Sequence, residues 1–482
     1  MLDFIRKNRW LFLFGSIAAI LLRLLFILRF ARITSDALIY SDIAQNLIAY
    51  GKFAMTDTGV PVPTLIRLPG YPAFLALVFL IFGVGNLKAA LFFQMFVDVG
   101  ACFYIAAIAR ELFTDNAAKA AFLLAALCPF TANYVAHPLT ETLAIFFASL
   151  ALLEGVKASR RLDAEDPRGA RRQWIFSGLA ISAGIYLRPD GGILLAALLA
   201  YLGWRFLLES SRRKQLISAA VLVSVCALAP LTPWIVRNWV VFGVFQPLAP
   251  RYATAPGEYV PLGFNRWMKT WIVDYVSVEQ IYWKVSTESP GEELDSADLP
   301  DRAFDSADQR AHTDAIFDEF NDDHILHPQT DAAFGLLARE RIAAHPFRYY
   351  VTLPAARTLS IWFRPRIEML PLDARWWATE DPREFRFTIP YGILNTLLVI
   401  AALAGAVRFR KTTGIGTLLA FVLLRSAFLS TIENPEPRYI LECFPVVLAL
   451  AGVFLATITE SKLMTKDGRS YGIGYGSVRK ES

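Results

Sequence analysis

Apolar runs near twenty residues long recur along this chain, and nothing else in it restricts the fold as much. Wound as a helix, such a run matches a hydrocarbon core roughly 30 Å thick. The runs fall near 10–30, 88–109, 116–136, 139–157, 174–187, 191–208, 216–240, 388–407, 414–430 and 438–458. Strands of a membrane barrel would instead alternate over about ten residues. The expected fold class is an all-α polytopic membrane protein with about ten transmembrane helices, and the 55% hydrophobic composition agrees.

Basic residues set the expected orientation. Arg6, Lys7 and Arg9 precede the first run, and further basic residues fill the short loops 160–172, 212–214 and 408–411. Placing all of these in the cytoplasm puts both termini there and residues 31–69 outside. The first run carries Arg23 and Arg29 and lacks a small-x-small cleavage site, so it reads as a retained helix. Parity then leaves one inward crossing between 70 and 109. The run 88–109 takes it, because 71–83 is too short to span and reads as an interfacial or re-entrant helix.

The expected organisation is an N-terminal transmembrane module, 1–243, with its first outer loop at 31–87. An outer region, 244–387, C-terminal transmembrane helices, 388–460, and a cytoplasmic tail, 461–482, follow. The outer region holds 23 acidic and 15 basic residues against a whole-chain charge of +5. Basic residues therefore concentrate in short loops beside apolar runs, a topology pattern rather than a nucleic-acid surface. Within it, 285–330 reads as a flexible acidic loop. Residues 331–345 read as one or two helices lying on the membrane rather than forming a large core. The four cysteines (Cys102, Cys128, Cys226, Cys443) form no CxxC and signal neither a disulfide framework nor a zinc site.

Candidate chemistry gathers in 31–72. Asp36 lies just past the first run on an amphipathic pattern and shares a helical face with Tyr40. It reads as a general base or as part of a helix cap. Asp42, six positions on, points away and faces water. Arg67, before LPGYP, reads as an anion-binding guanidinium or a charged interface anchor. Glu141 in HPLTETL reads as a first-turn acid complementing the helix dipole, or as a second carboxylate able to hold an acceptor or a divalent cation. Arg188 in LRPDG and Arg237 in PWIVRNW each read as a helix-end residue or a functional cation. Arg23 and Asp98 lie inside spans and read as a structural ion pair. His137 alone, and His324 with His327 in HILHP, are weak metal signals. ENPEPRYILECFP puts Glu433, Glu436, Arg438 and Tyr439 in a short outer loop, a salt-bridged turn or a pocket wall. No Walker loop, GxSxG elbow, HExxH or dinucleotide fingerprint is present.

Together, SDALIYSDIAQNLIAYG, RLPGYPAFLALVFLIFG, HPLTETL and PRYILECFPVVLALAG resemble the GT-C superfamily of membrane glycosyltransferases. The nearer likeness is to the branch holding protein O-mannosyltransferases and the bacterial aminoarabinose transferase of lipid A. YLRPDGGILLA and PWIVRNWVVFG are similar to bacterial members, and AAHPFRYYVTLPAARTLSIWF matches loosely. The resemblance implies a GT-C-like bundle with juxtamembrane helices in the first outer loop and a mainly helical outer region. It implies an inverting transferase of the bacterial inner membrane, with its site on the extracytoplasmic side. The donor would be a polyprenyl-phosphate-linked sugar, and the acceptor a protein, glycolipid or polysaccharide. Membrane lipids would be its other partners, with no nucleic acid.

On this resemblance Asp36 and Glu141 are the catalytic candidates. Arg67, Tyr40, Arg188, Arg438 and Tyr439 are candidates for the donor and its phosphate. No metal ligand and no cofactor is assigned, and a divalent cation stays open. Some relatives carry paired acids where this chain reads Asp36-Ala37, which weighs against a two-carboxylate or metal-assisted mechanism. A lipid or polysaccharide transporter and an inactive envelope-assembly scaffold are the competing readings.

Overall fold

The computed structural model describes residues 1–250, 257–285, 291–379 and 381–466. The expected tail therefore lies outside the described residues from 467 onward. The chain is an integral membrane protein built almost wholly from helices. Among the described residues, seven helices are long and apolar enough to cross a membrane. An eighth span forms if Asp115–Ala126 and Pro129–Val135, bent by 48°, count as one.

This count does not confirm the expected ten, and two shorter or more charged segments account for the difference from eight. Pro167–Leu187 opens with Arg168, Arg171 and Arg172, which charge its first turns. Ile415–Ser430 has 16 residues, about 24 Å at 1.5 Å per residue, and carries Arg425.

Two helices form the centre. In Glu141–Asp163 and Pro437–Thr459, 78% and 83% of the apolar window is buried, against 33% for Arg9–Phe30. Small residues allow this close approach. A Cβ on Gly452 would sit 2.6 Å from the backbone nitrogen of Ala121. Arg23 donates to Asp98 at 2.8 Å and to the carbonyl oxygens of Ala125, at 3.0 Å, and Ala126. The buried pair thus has the structural role its sequence suggested: it satisfies carbonyls that the bend leaves open.

The stretch after the first span folds into a helix, Ser35–Tyr50, a hairpin, and a second helix, Gly70–Phe82. The hairpin pairs Ala54–Asp57 with Val60–Pro63 in antiparallel register, Asp57 opposite Val60. Thr58 (φ 46°) and Gly59 (φ 84°) make its turn, and no reading of the sequence anticipated it. Asp42 does not simply face water: it accepts from the backbone and hydroxyl of Thr56, both at 2.7 Å, and pins the hairpin to the helix. The helix Gly70–Phe82, 13 residues, is the short element expected between the first two spans. Tyr71 donates to Gln94 and packs edge-on to Tyr40, joining the two loop helices.

The long connecting region departs from expectation. Where described, 291–330 holds the helix Ala307–Asn321, and 331–345 lies within Pro328–Ala344. Leu294, Leu299, Phe317 and Phe320 pack with Phe264, Trp267, Trp271, Phe334 and Leu337 in a core separate from the bundle. Among the described residues, 291–330 is thus partly helical and packed rather than loose, and the helix expected near 331–345 is present but contributes to a core. Most acidic residues between 292 and 323 are exposed and disguise the aromatic stripe, whereas Asp331 is buried and accepts from the amides of Gly263, at 3.1 Å, and Phe264, at 2.7 Å. Arg357 fastens this region to the bundle, donating to the carbonyl oxygens of Ile272 at 2.8 Å and Ser430 at 3.1 Å.

Candidate active site

Proline-marked breaks deliver the charged residues. Pro69 follows Arg67, Pro138 precedes Glu141, Pro189 sits between Arg188 and Asp190, and Pro435 and Pro437 flank Glu436 ahead of Arg438. A proline ends or begins a helix because it lacks the N–H and constrains its predecessor. Each break leaves its charge at a helix end. Asp36 arrives differently, from the first turn of Ser35–Tyr50, whose cap is Thr34, accepting from the Ala37 amide at 3.3 Å. Asp36 is thereby released from capping.

These ends converge on one cavity of about 390 Å³. All seven candidates line it: Asp36, Tyr40, Arg67, Glu141, Arg188, Arg438 and Tyr439. Arg67 donates to Oδ1 of Asp36, and Arg438 to Oδ2 at 3.0 Å. Burial alone would raise the Asp36 carboxyl, but the Arg438 and Arg67 guanidinia outweigh it and hold it at about 2. The Arg67 guanidinium lies 5.7 Å from the Tyr40 ring centroid. Burial, with the Asp36 charge, pushes the Tyr40 phenol up to about 12, so it stays neutral.

A second knot lies deeper. Arg188 donates to Glu141 at 2.9 Å and Asp190 at 3.1 Å and lies 3.5 Å from Glu442. Arg425 grips both Glu442 oxygens, at 3.0 and 2.8 Å, and reaches Asp190 at 2.8 Å. It also donates to the backbone oxygen of Tyr439 at 2.7 Å. The Tyr439 ring lies between two guanidinia, Arg188 at 4.9 Å and Arg438 at 5.4 Å. Its hydroxyl donates to Glu436 at 2.8 Å, and Glu436 also lies 2.6 Å from Arg438.

Several other candidates lie elsewhere. Arg237 donates to the backbone oxygens of Thr64 at 3.0 Å and Phe53 at 2.6 Å, holding the ends of the hairpin rather than facing the cavity. His327 pairs with Asp323 at 2.7 Å on an exposed turn. His137 is buried beside the Arg32 carbonyl. Reading the sequence missed Arg425 and Glu442 as partners, although each is a charge within an apolar segment and so a flag in its own right. It also missed Tyr282 and Trp283, which the connecting region contributes to the cavity wall. One turn earlier, burial, helped by nearby Asp373, pushes the Glu279 carboxyl up to about 7.

The carboxylates are a poor fit for a divalent cation. Asp36 gives both oxygens to guanidinia, and one oxygen of Glu141 is taken by Arg188. Among the described residues, no group of three or more His, Cys, Asp or Glu is placed to hold a metal ion.

Residues 62–235 match the family model described as dolichyl-phosphate-mannose-protein mannosyltransferase. No curated protein matches the chain in sequence. Among solved structures it is similar to the Archaeoglobus fulgidus oligosaccharyltransferase AglB in complex with an inhibitory peptide and a dolichol-phosphate. That match has TM-score 0.55 and 15% identity and covers 97% of this chain and 53% of that one. The same enzyme tethered to an acceptor peptide matches at TM-score 0.55 and 15% identity over 95% and 50%. The chain thus spans about half the length of these structures. ArnT from Cupriavidus metallidurans, bound to undecaprenyl phosphate, overlaps at TM-score 0.42 and 13% identity, covering 94% and 79%. The fold is that of the GT-C membrane glycosyltransferases, as the sequence motifs suggested.

Proposed function

We propose that this GT-C-fold protein is an inverting glycosyltransferase that moves a sugar from a polyprenyl-phosphate donor to an acceptor at the outer face of a bacterial inner membrane. The observation that carries this reading is the cavity: candidates drawn from separate stretches between 36 and 439 line one space that meets both water and apolar wall. Its size suits a small polar ligand, in the range of small-molecule sites. Leu68, Leu139, Leu187 and Phe428 supply the apolar side, and the three arginines the cationic side.

In the proposed reaction the acceptor hydroxyl or amine attacks the anomeric carbon. The bond from that carbon to the phosphate oxygen breaks, its electron pair leaving on the phosphate. The acceptor's proton passes to Asp36. Arg67 and Arg438 meet the charge developing on the leaving phosphate. Arg188 is less suited to that task, since Glu141, Asp190 and Glu442 already surround it. Its role is to hold Glu141 and the Tyr439 ring in place. Transport would need no carboxylate beside the arginines assigned to the leaving phosphate, and an inactive scaffold would need no such cavity.

The test is transfer from a labelled polyprenyl-phosphate sugar by the purified protein in lipid vesicles. Replacing Asp36 by Asn should lower turnover about 10²- to 10⁴-fold, the usual contribution of a general base. Normal turnover by a folded Asp36→Asn protein would sink the assignment.

A further inference from the structure

We propose that Asp36 is a resident anion that the donor's phosphate displaces, so that lipid-phosphate binding at Arg67 and Arg438 is what frees the base. This rests on the transferase reading above and specifies how its site switches on.

The geometry presents a conflict that displacement resolves. In an inverting transfer the base and the leaving group lie on opposite faces of the sugar. Yet Asp36 is bonded to the same two guanidinia that are best placed for the leaving phosphate. While it holds them, it occupies the phosphate's side and has little basicity. Among the described residues, Asp36 is the only carboxylate paired with Arg67, which also donates to the Ile66 carbonyl at 3.0 Å and lies over the Tyr40 ring. When a phosphate replaces Asp36 there, Arg67 keeps an anionic partner. Arg438 likewise keeps Glu436.

Exposure separates this latch from the innermost pair of the knot, Arg425 and Glu442, though not from Arg188, which is 16% exposed. The side chains of Asp36, Arg67 and Arg438 are 17%, 26% and 20% exposed, facing the cavity. Those of Arg425 and Glu442 are 0% and 5% exposed. The upper set can open to a ligand, while the Arg425–Glu442 pair is enclosed; Arg188 also lines the cavity but already faces Glu141, Asp190 and Glu442. A phosphate offers guanidinium forks the same bidentate geometry as a carboxylate, with more charge. The exchange therefore conserves the hydrogen bonds of both arginines. An acceptor reaching the cavity first meets a tied carboxylate and is not deprotonated.

The test compares binding of a short-chain polyprenyl phosphate by wild type, Asp36→Asn and Arg67→Ala proteins in detergent. Without the resident anion, Asp36→Asn should bind about tenfold tighter than wild type, within the usual range of coupling between linked equilibria. Arg67→Ala should bind at least about tenfold more weakly, as loss of a charge-assisted contact predicts. A wild type that binds while folded Asp36→Asn binds no tighter would overturn this inference and leave the transferase reading standing. A wild type that binds no polyprenyl phosphate would sink both. A structure of the wild-type protein with the lipid phosphate bound is decisive whether or not the variant folds. Asp36 should then lie beyond hydrogen-bond reach of Arg67 and Arg438, and retention of both contacts would overturn the inference.

Discussion

Replacing Arg425 by Met tests the deeper knot most directly. The methionine keeps the apolar stem and removes the fork. Lost with it are two bonds to Glu442, one to Asp190 and one to the Tyr439 carbonyl. Arg188 is left as the nearest cation for Glu141, Asp190 and Glu442 together. Removing one partner of a buried ion pair costs about 3–5 kcal/mol, because the remaining charge stays desolvated. At about 2.1 cal/mol/K of unfolding entropy per residue, over 482 residues that corresponds to a fall in melting midpoint on the order of 3–5 °C. The assay is thermal unfolding in detergent, followed by the fraction remaining monodisperse. Glu442→Gln is then added to remove the stranded charge. The double variant should recover part of the loss, with a coupling of about 1–3 kcal/mol. An Arg425→Met protein melting with wild type, or a double variant that is simply additive, would refute this account of the knot.

Two further predictions follow from packing and titration. Gly452→Ala forces a methyl against the Ala121 backbone at 2.6 Å and should cost about 1–3 kcal/mol, as overpacking does, read as a lower melting midpoint. The Glu279 carboxyl is raised from 4.5 to about 7 by burial and Asp373, so its contribution to stability is present below pH 4.5 and lost as pH rises through about 7. Glu279→Gln should therefore raise the melting midpoint at pH 8 and leave it little changed at pH 5; equal shifts at both would contradict the assignment. For Asp36 the sign is opposite: held at about 2, below its ordinary 3.8, it stabilises above about pH 4 and that contribution is lost only as pH falls toward 2.

Much of the cavity was legible because its residues sit at helix ends, where prolines mark the breaks and each charge stands out against apolar sequence. Arg67, Glu141 and Arg188 could be found that way, and Asp36 from its place just past the first apolar run. That they would meet was not legible: Asp36 and Arg438 lie 402 positions apart. The resemblance to known glycosyltransferases supplied that link, and the fold agrees with it. Arg425 and Glu442 escaped notice because their pairing crosses from one helix to another around a break. The hairpin escaped because Val60–Pro63 is rich in proline, which argues against a strand except at an edge. The aromatic core around Trp267 escaped because its members are spread from 264 to 337 among acids.

Delivery of the site's charges by helix ends has a consequence for how this chain tolerates change. Residues added beyond a break lengthen a connection and need not move the charge before it. Deleting one residue within Glu141–Asp163 is different: the segment before the deletion turns by about 100° and shifts by about 1.5 Å relative to the rest. Glu141 would leave Arg188 or drag its helix out of register. Length variation among related chains should therefore gather in the connections, while the helices that end at the cavity keep their residue count.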